Sequence, residues 1–235
     1  MIEAYITNLG KYNEGELCGA YLKLPAEKAD VQALLARIGV DGVLYEETFI
    51  TDYETDIDGL SRYMGEYESI NELNYLATLL SEMDKREIEK FEAVVAYGEY
   101  TSSVKDLINL AQNLDCYEYY SDIRNEEELG RFYIEELGMF ELPDYIENYF
   151  DYEAYGRDID LGGSGIFIKS GGYVEYSGGF TEYYGGSKDL PDEYKIFAYP
   201  DPPDKMPIAK QIEMFSKMMT ASETEKLTPV REERT

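Results

Sequence analysis

The chain has 235 residues and carries 49 acidic against 21 basic side chains, a formal net charge of -28 at neutral pH. Its apolar content of 44%, with 24 tyrosines and 9 phenylalanines, is typical of a folded protein and argues against an acidic disordered chain. The absence of histidine excludes catalytic triads built on it and most zinc sites, so a non-enzymatic protein is favoured.

The first predicted elements form a unit of two strands, a helix and a third strand. Residues 4–9 and 16–24 alternate as strands joined by a polar turn. Apolar residues then recur at helical spacing from Val31 to Ile38, and Gly39 supplies a helix stop. Residues 45–51 complete the unit as a strand.

An acidic stretch follows at residues 41–72, with ten acidic residues and one arginine. Residues 52–59 resemble the opening of a calcium-binding loop. The match begins at Glu54, and the twelfth position of such a loop requires a bidentate Glu, where Gly65 stands. A solvated acidic loop is the better interpretation.

Capping signals predict three short helices in the middle of the chain. The paired residues are three positions apart: Ser69 with Glu72, Asp84 with Glu87, and Ser103 with Asp106. Each pair precedes an apolar stripe at helical spacing, which indicates a small helical middle domain whose apolar stripes are buried as core.

The next elements are a strand, a helix and a hairpin. Residues 116–120 predict the strand, and Asn125 caps a helix over 126–137. Glu136 falls on the apolar arc of that helix, which fits either an edge position or a subunit interface. Residues 165–169 and 173–176 predict the hairpin.

Between that helix and the hairpin, residues 144–161 space six carboxylates around a single arginine, Arg157. A row of regularly spaced anions resembles a phosphate backbone. Such a surface repels nucleic acid and anionic lipid, and its natural partners are basic proteins.

The remaining segment differs in composition. Residues 178–235 contain Gly/Tyr-rich sequence, a proline cluster and one candidate amphipathic helix at 208–219, and they predict a linker, a short helix and a frayed tail. Residues 1–160 hold 37 of the acidic and 12 of the basic residues. Residues 178–235 are therefore expected to be dispensable for an acidic surface. Cys18 and Cys116 lie in separate elements, which agrees with a reducing cytoplasm, and we find no signal peptide or membrane span.

Three motifs in order, YITNLGKYNEGEL, SINELNYL and YFDYEAYGRDIDL, resemble the ArdA antirestriction family over residues 1–176. The resemblance implies a cytoplasmic, non-enzymatic protein of mobile elements that acts in the host bacterial cell and mimics bent B-form DNA. It implies an α+β fold: an elongated chain of three small domains that dimerises. The domains are 1–61 (strand-rich), 62–103 (helical) and 104–177 (mixed, with the dimer interface), followed by the extension 178–235.

The candidate site residues form two sets. The predicted acidic surface comprises Glu46, Glu47, Asp52, Glu54, Asp56, Asp58, Glu66, Glu68, Asp115, Glu118, Asp122, Glu127, Glu135, Asp144, Glu147, Asp151, Glu153, Asp158 and Asp160. The family's antirestriction motif maps onto the helix at 126–141. The predicted interface there comprises Leu129, Phe132, Tyr133, Glu136 and Leu137.

The resemblance implies two partners: the specificity and modification subunits of a type I restriction-modification enzyme, and a second copy of the chain. No cofactor, metal, nucleic acid or membrane is expected. One alternative is an acidic module that sequesters another basic DNA-binding or defence protein. The other is a calcium-dependent or sugar-binding protein that uses the acidic and tyrosine-rich surface.

Overall fold

A computed structural model describes residues 1–163 and 165–201. The strands are β1 (Ile2–Asn8), β2 (Gly19–Leu24), β3 (Thr48–Thr55), β4 (Tyr117–Tyr120), β5 (Gly165–Phe167) and β6 (Tyr173–Tyr176). The α-helices are α1 (Leu9–Asn13), α2 (Lys28–Ile38), α3 (Ile70–Glu82), α4 (Lys85–Tyr97), α5 (Val104–Ala111), α6 (Glu126–Arg131), α7 (Asp144–Glu147) and α8 (Tyr152–Leu161). Short 3₁₀ helices lie at Leu60–Tyr63, Leu114–Cys116 and Asp192–Tyr194, and a π-helix at Phe132–Glu136. The predicted α+β class is confirmed.

The first sheet is antiparallel, in the order β2-β1-β3. Alternation along β1 places Ile2, Ala4 and Ile6 in the core. The predicted polar turn after β1 is wrong, because residues 9–13 form α1. The side chain of Asn8 accepts a hydrogen bond from the Lys11 backbone N–H at 3.0 Å and so starts a short helix there.

The rest of the first unit follows the sequence pattern with one shift. Gly39 ends α2 with a φ of 76°, as predicted. The third strand begins at Thr48 instead of residue 45. The Asp41 carboxylate accepts hydrogen bonds from three successive backbone N–H groups, those of residues 43–45, and folds them into a loop.

The three predicted helix starts in the middle of the chain are confirmed. Ser69 accepts a hydrogen bond from the backbone N–H of Glu72, and Ser103 accepts one from that of Asp106. At the start of α4 the Asp84–Glu87 capping box is complete in both directions. The apolar faces of α3, α4 and α5 are buried together with that of the first sheet.

The second sheet is also antiparallel, in the order β4-β6-β5, and the predicted hairpin is confirmed. The helix predicted over 126–137 begins at α6 but widens into the π-helix, where the Leu137 N–H bonds to the Phe132 carbonyl at 3.0 Å. A small cluster of Ile123, Leu129 and Tyr173 packs α6 against this sheet.

The first part of the C-terminal segment is not a linker. Tyr184, Leu190 and Ile196 are buried in the same apolar core as Ile2 and the middle helices. Because that core runs continuously from β1 to residue 196, the domain boundaries stay predictions. The helix predicted at 208–219 lies outside the described residues. None of the helices in residues 1–163 and 165–201 is both long enough and apolar enough to cross a lipid bilayer.

Candidate functional site

The predicted acidic residues lie at the protein surface. All nineteen are exposed except Glu68 and Asp160, which are half-buried. No Asp or Glu within the described ranges is buried. This follows from the cost of desolvating an unpaired carboxylate, and it leaves the charge available to a partner.

One group, the N-terminal acidic surface, is carried by the first sheet and the segments around it. Its members are Glu46, Glu47, Asp52, Glu54, Asp56, Asp58, Glu66 and Glu68. A bulge gives β3 one extra residue opposite β1, and Asp52 and Glu54 follow it on one side of the strand. The Asp41 loop precedes Glu46, and its three backbone hydrogen bonds lower the pKa of the Asp41 carboxyl.

Tyrosine hydroxyls orient two carboxylates of this region. Tyr21 Oη donates to Asp52 at 2.7 Å, and Tyr45 Oη donates to Glu14 at 2.9 Å. Each hydrogen bond to a carboxylate raises the pKa of the donating tyrosine. These carboxylates keep their remaining lone pairs for other donors.

The second group, the distal acidic surface, is carried by β4, the residues beside it and the helices that follow it. Its members are Asp115, Glu118, Asp122, Glu127, Glu135, Asp144, Glu147, Asp151, Glu153, Asp158 and Asp160. Helices α6 and α8 cross at Gly130 and Gly156. A methyl group at Gly130 would overlap the Tyr152 carbonyl, and one at Gly156 the Glu126 carbonyl. Only glycine allows this approach, which brings the carboxylates of both helices close together.

Close approach has an electrostatic consequence. Burial, and after it the neighbouring Glu126 carboxylate, raise the pKa of Asp160 on α8. Two arginines relieve part of the repulsion. Arg131 lies between Glu127 and Glu135, at 3.1 and 3.0 Å, and over the Tyr152 ring at 4.2 Å. Arg157 pairs with Glu153 at 2.7 Å.

Most of the nineteen carboxylates have no ion-pair partner among residues 1–163 and 165–201. The paired ones are Asp56, which contacts the N-terminal ammonium, and Glu127, Glu135 and Glu153. In the same ranges, no three acidic or cysteine side chains converge as metal ligands would. Residues 52–55 lie in a strand instead of a calcium loop. The charge is distributed over the surface instead of gathered at one point.

The predicted interface residues are not on one face. Leu129 is fully buried in the cluster under α6. Phe132 and Tyr133 pack against that cluster, and Tyr133 Oη donates to Glu175 at 2.9 Å. Glu136 and Leu137 are exposed. The π-helix changes the helical register after Arg131, and Glu136, which the sequence placed on the apolar arc, is exposed.

Beyond the π-helix the surface is unusually apolar. The exposed apolar side chains between residues 137 and 149 are Leu137, Met139, Phe140, Tyr145, Ile146 and Tyr149. Tyr145 is 77% and Tyr149 is 87% exposed, among the carboxylates of α7. A contiguous run of this kind is typical of an interaction surface.

Sequence reasoning missed several participants. Glu14 and Glu175 accept tyrosine hydroxyls but were not assigned to the surface. Their partners are 31 and 42 residues away, so local patterns carry no signal for the pairing. Gly130 and Gly156 gave a weak signal, since an interior glycine in a helical pattern often marks a close approach.

A family model described as Antirestriction protein (ArdA) matches residues 4–175. No curated protein matches the chain.

Proposed function

The chain belongs to the ArdA family of antirestriction proteins, and from this premise we propose that its two acidic surfaces replace DNA in the binding groove of a type I restriction-modification enzyme. The observation that carries the proposal is the set of exposed carboxylates, most of them unpaired within the described ranges and none forming a metal-binding cluster. Carboxylates offer Arg and Lys the same charge-assisted hydrogen bonds as phosphates.

The amount of charge fits such a target. B-form DNA carries about one charge per 1.7 Å of helix axis. Two subunits, each with 37 acidic and 12 basic residues over positions 1–160, carry as many net charges as the phosphates of about 25 base pairs. Because carboxylates have no base edges, the mimic is indifferent to the sequence specificity of its target.

A second copy of the chain completes the proposed inhibitor. The exposed apolar run at residues 137–149 supports a homodimer contact in this region, which includes Leu137 of the predicted interface and adjoins Glu136. Sedimentation velocity at micromolar concentration is expected to give a dimer, and Tyr149→Asp is expected to shift it to monomer. A monomer with the unaltered sequence would exclude this contact.

Inhibition without catalysis is part of the proposal, in the cytoplasm of a bacterium that carries the mobile element. The protein occupies the groove formed by the specificity and modification subunits and leaves both subunits intact. A stoichiometric inhibitor of this kind loses effect when the enzyme is in excess over it.

The decisive measurement is competition on a purified type I modification enzyme. We expect the protein and a DNA duplex to bind it in a mutually exclusive manner, with affinity for the protein falling steeply as salt rises. Polyglutamate at equal carboxylate concentration is the control, because it supplies charge without a folded surface. Equal competition by polyglutamate would show that negative charge accounts for binding without any contribution from the folded shape. Tight binding to another basic DNA-binding or defence protein, with none to this enzyme, would favour sequestration of that protein.

A further inference from the structure

Residues 178–201, here called the strap, lie beyond the part of the chain that matches the family. The strap starts next to β6, where Phe180 stacks on Tyr100 with ring centroids 3.7 Å apart. It then crosses α5 and α3 and ends against α2 and the loop between α2 and β3. Its contacts therefore connect all three parts of the fold.

Two asparagines, one in α5 and one in the turn that follows it, bind the backbone of the strap. Asn109 accepts from the Tyr184 N–H at 2.9 Å and donates to the Tyr184 carbonyl at 2.8 Å. Asn113, one turn later, accepts from the Thr181 N–H at 2.9 Å and donates to its carbonyl at 2.9 Å. Each amide thus offers one residue the donor and acceptor that a neighbouring strand would offer.

This arrangement is built into the core. Asn109 and Asn113 are 2% and 1% exposed, and the second amide hydrogen of each is donated to a carbonyl of α5 itself. Such complete pairing is required of buried polar groups. It identifies the α5 face as a binding site for polypeptide backbone, occupied by the strap.

Side chains secure the middle of the strap. The Tyr184 hydroxyl donates to Glu72 of α3 at 2.8 Å, and the Tyr194 ring stacks on Tyr75 with centroids 4.3 Å apart. Leu190 and Ile196 of the strap are buried in the main apolar core.

The end of the strap reaches the N-terminal acidic surface. The Phe197 N–H donates to Asn71, and the Tyr199 carbonyl accepts from Gln32 at 2.9 Å. Tyr199 Oη donates to the carbonyl of Glu46 at 2.9 Å, and its ring packs so closely on Gly42 that an added methyl carbon there would lie 2.6 Å away. Tyr199 therefore holds the loop that presents Glu46 and Glu47.

We propose that the strap fixes this loop relative to the helices and the second sheet, and so sets the spacing between the N-terminal and distal acidic surfaces. Asn109 and Asn113 are the central clamp, and Tyr199 is the terminal anchor. The effect on inhibition rests on the proposed function, because spacing matters only if both surfaces contact one partner. Fixed spacing removes an ordering cost on binding.

Spin labels on the full chain test the proposal. Val43 in the loop and Ser170 in the β5–β6 turn are both exposed, and each can be replaced by a labelled cysteine after Cys18 and Cys116 have been replaced by serine. We expect one narrow distance distribution between the labels. Tyr199→Ala is expected to broaden it, whereas Tyr183→Ala, in an exposed tyrosine of the same strap, is expected to leave it unchanged.

Hydrogen exchange separates the clamp from the anchor. Replacing Asn109 and Asn113 together by Ala is expected to increase exchange at the Thr181 and Tyr184 amides by at least about tenfold and to broaden the distribution. Tyr199→Ala is expected to leave those two amides protected. Because Tyr199 is partly exposed at the end of the segment, this variant decides the question even if the double variant does not fold. An unbroadened distribution in Tyr199→Ala would overturn the proposal.

Inhibition assays distinguish this proposal from the function on which it rests. Folded Tyr199→Ala is expected to inhibit roughly threefold more weakly or worse than the unaltered chain, and Tyr183→Ala to inhibit equally. Equal inhibition by Tyr199→Ala despite a broadened distribution would overturn the role of spacing. If the unaltered chain fails to inhibit, the proposed function fails, and the label distances still decide whether the strap fixes the loop.

Discussion

The N-terminal and distal acidic surfaces present similar side chains on different scaffolds. On the first, carboxylates stand on a strand and loops, and individual hydrogen bonds from Tyr21 and Tyr45 orient them or their neighbours. On the second, many of them stand on α6 and α8, and the position of these helices depends on their crossing at Gly130 and Gly156. The first arrangement depends on side-chain hydrogen bonds, each of which involves one carboxylate. The second depends on backbone contact and is sensitive to a single methyl group.

The largest effect is expected from Gly156→Ala. The added methyl group would overlap the Glu126 carbonyl, and backbone cannot move aside as a flexible side chain can. We expect α6 and α8 to separate and the free energy of unfolding, measured by chemical denaturation, to fall by about 3 kcal/mol. The N-terminal acidic surface should keep its structure, which hydrogen exchange of β1 and β3 would report.

Gly65→Ala is the matched control, because the added methyl group would meet only the far end of the Glu68 side chain. It is expected to change stability by less than about 0.5 kcal/mol. Equal stability of Gly156→Ala and Gly65→Ala would show that the helix crossing does not constrain the distal acidic surface.

The features recovered from the sequence are those with local causes. Capping pairs such as Ser103–Asp106 placed the middle helices, and Gly39 marked a helix end, because both signals act within one turn. The exposure of the acidic residues was predictable for a similar reason, since a carboxylate is solvated wherever the chain places it.

The missed features depend on contacts between distant residues. Asn109 and Tyr184 are 75 residues apart, and neither carries a local signal of the other. The strap was therefore read as a linker from its Gly and Tyr content. The apolar arc that contains Leu129 is visible in the sequence, but the second sheet that covers Leu129 is not visible there. An amphipathic pattern shows that one face of a helix is buried, but it does not show which element covers that face.

Grouped neutralisation tests whether both surfaces contact the partner. One variant replaces Asp52, Glu54 and Asp58 by the corresponding amides, and another replaces Asp144, Glu147 and Asp158. Each is expected to weaken binding to the restriction enzyme by about tenfold to a hundredfold. Each should also lower the slope of log affinity against log salt concentration by up to about 3, because fewer counterions are exchanged.

A third variant carries the same change in charge elsewhere and serves as the control. Glu82, Glu99 and Glu193 are exposed, form no ion pair within the described ranges and lie outside both acidic surfaces. Their replacement by Gln is expected to leave affinity close to that of the unaltered chain. If all three variants lose affinity equally, net charge alone determines binding and the two surfaces have no special role.

Neutralising a single carboxylate is expected to have little effect on binding to the restriction enzyme. Asp158 is exposed on α8 without an ion-pair partner in the described ranges, and Asp158→Asn should cost about 1 kcal/mol of binding or less. Asp151 has a second role, since its carboxylate accepts from the Ala154 N–H and caps α8. Asp151→Asn keeps a capping side chain, whereas Asp151→Ala should also lower stability by about 1 kcal/mol. Loss of all inhibition in a folded Asp158→Asn protein would indicate a hot spot instead of a distributed surface.

The smallest effect is expected from Tyr21→Phe, which removes the hydroxyl that orients Asp52 and leaves the carboxylate in place. If the hydroxyl acts only by orienting Asp52, its loss costs no more than loss of the carboxylate, and we expect binding to weaken by roughly twofold. The hydrogen bond raises the pKa of Tyr21, so its contribution to stability is complete below about pH 10 and is lost as the pH rises further. Tyr67→Phe is the control, because Tyr67 is exposed beside the same surface and its hydroxyl makes no hydrogen bond within the described ranges. A larger loss for Tyr21→Phe than for Asp52→Asn would mean that the hydroxyl itself contacts the partner, and the N-terminal acidic surface would then bind through tyrosines as well as carboxylates.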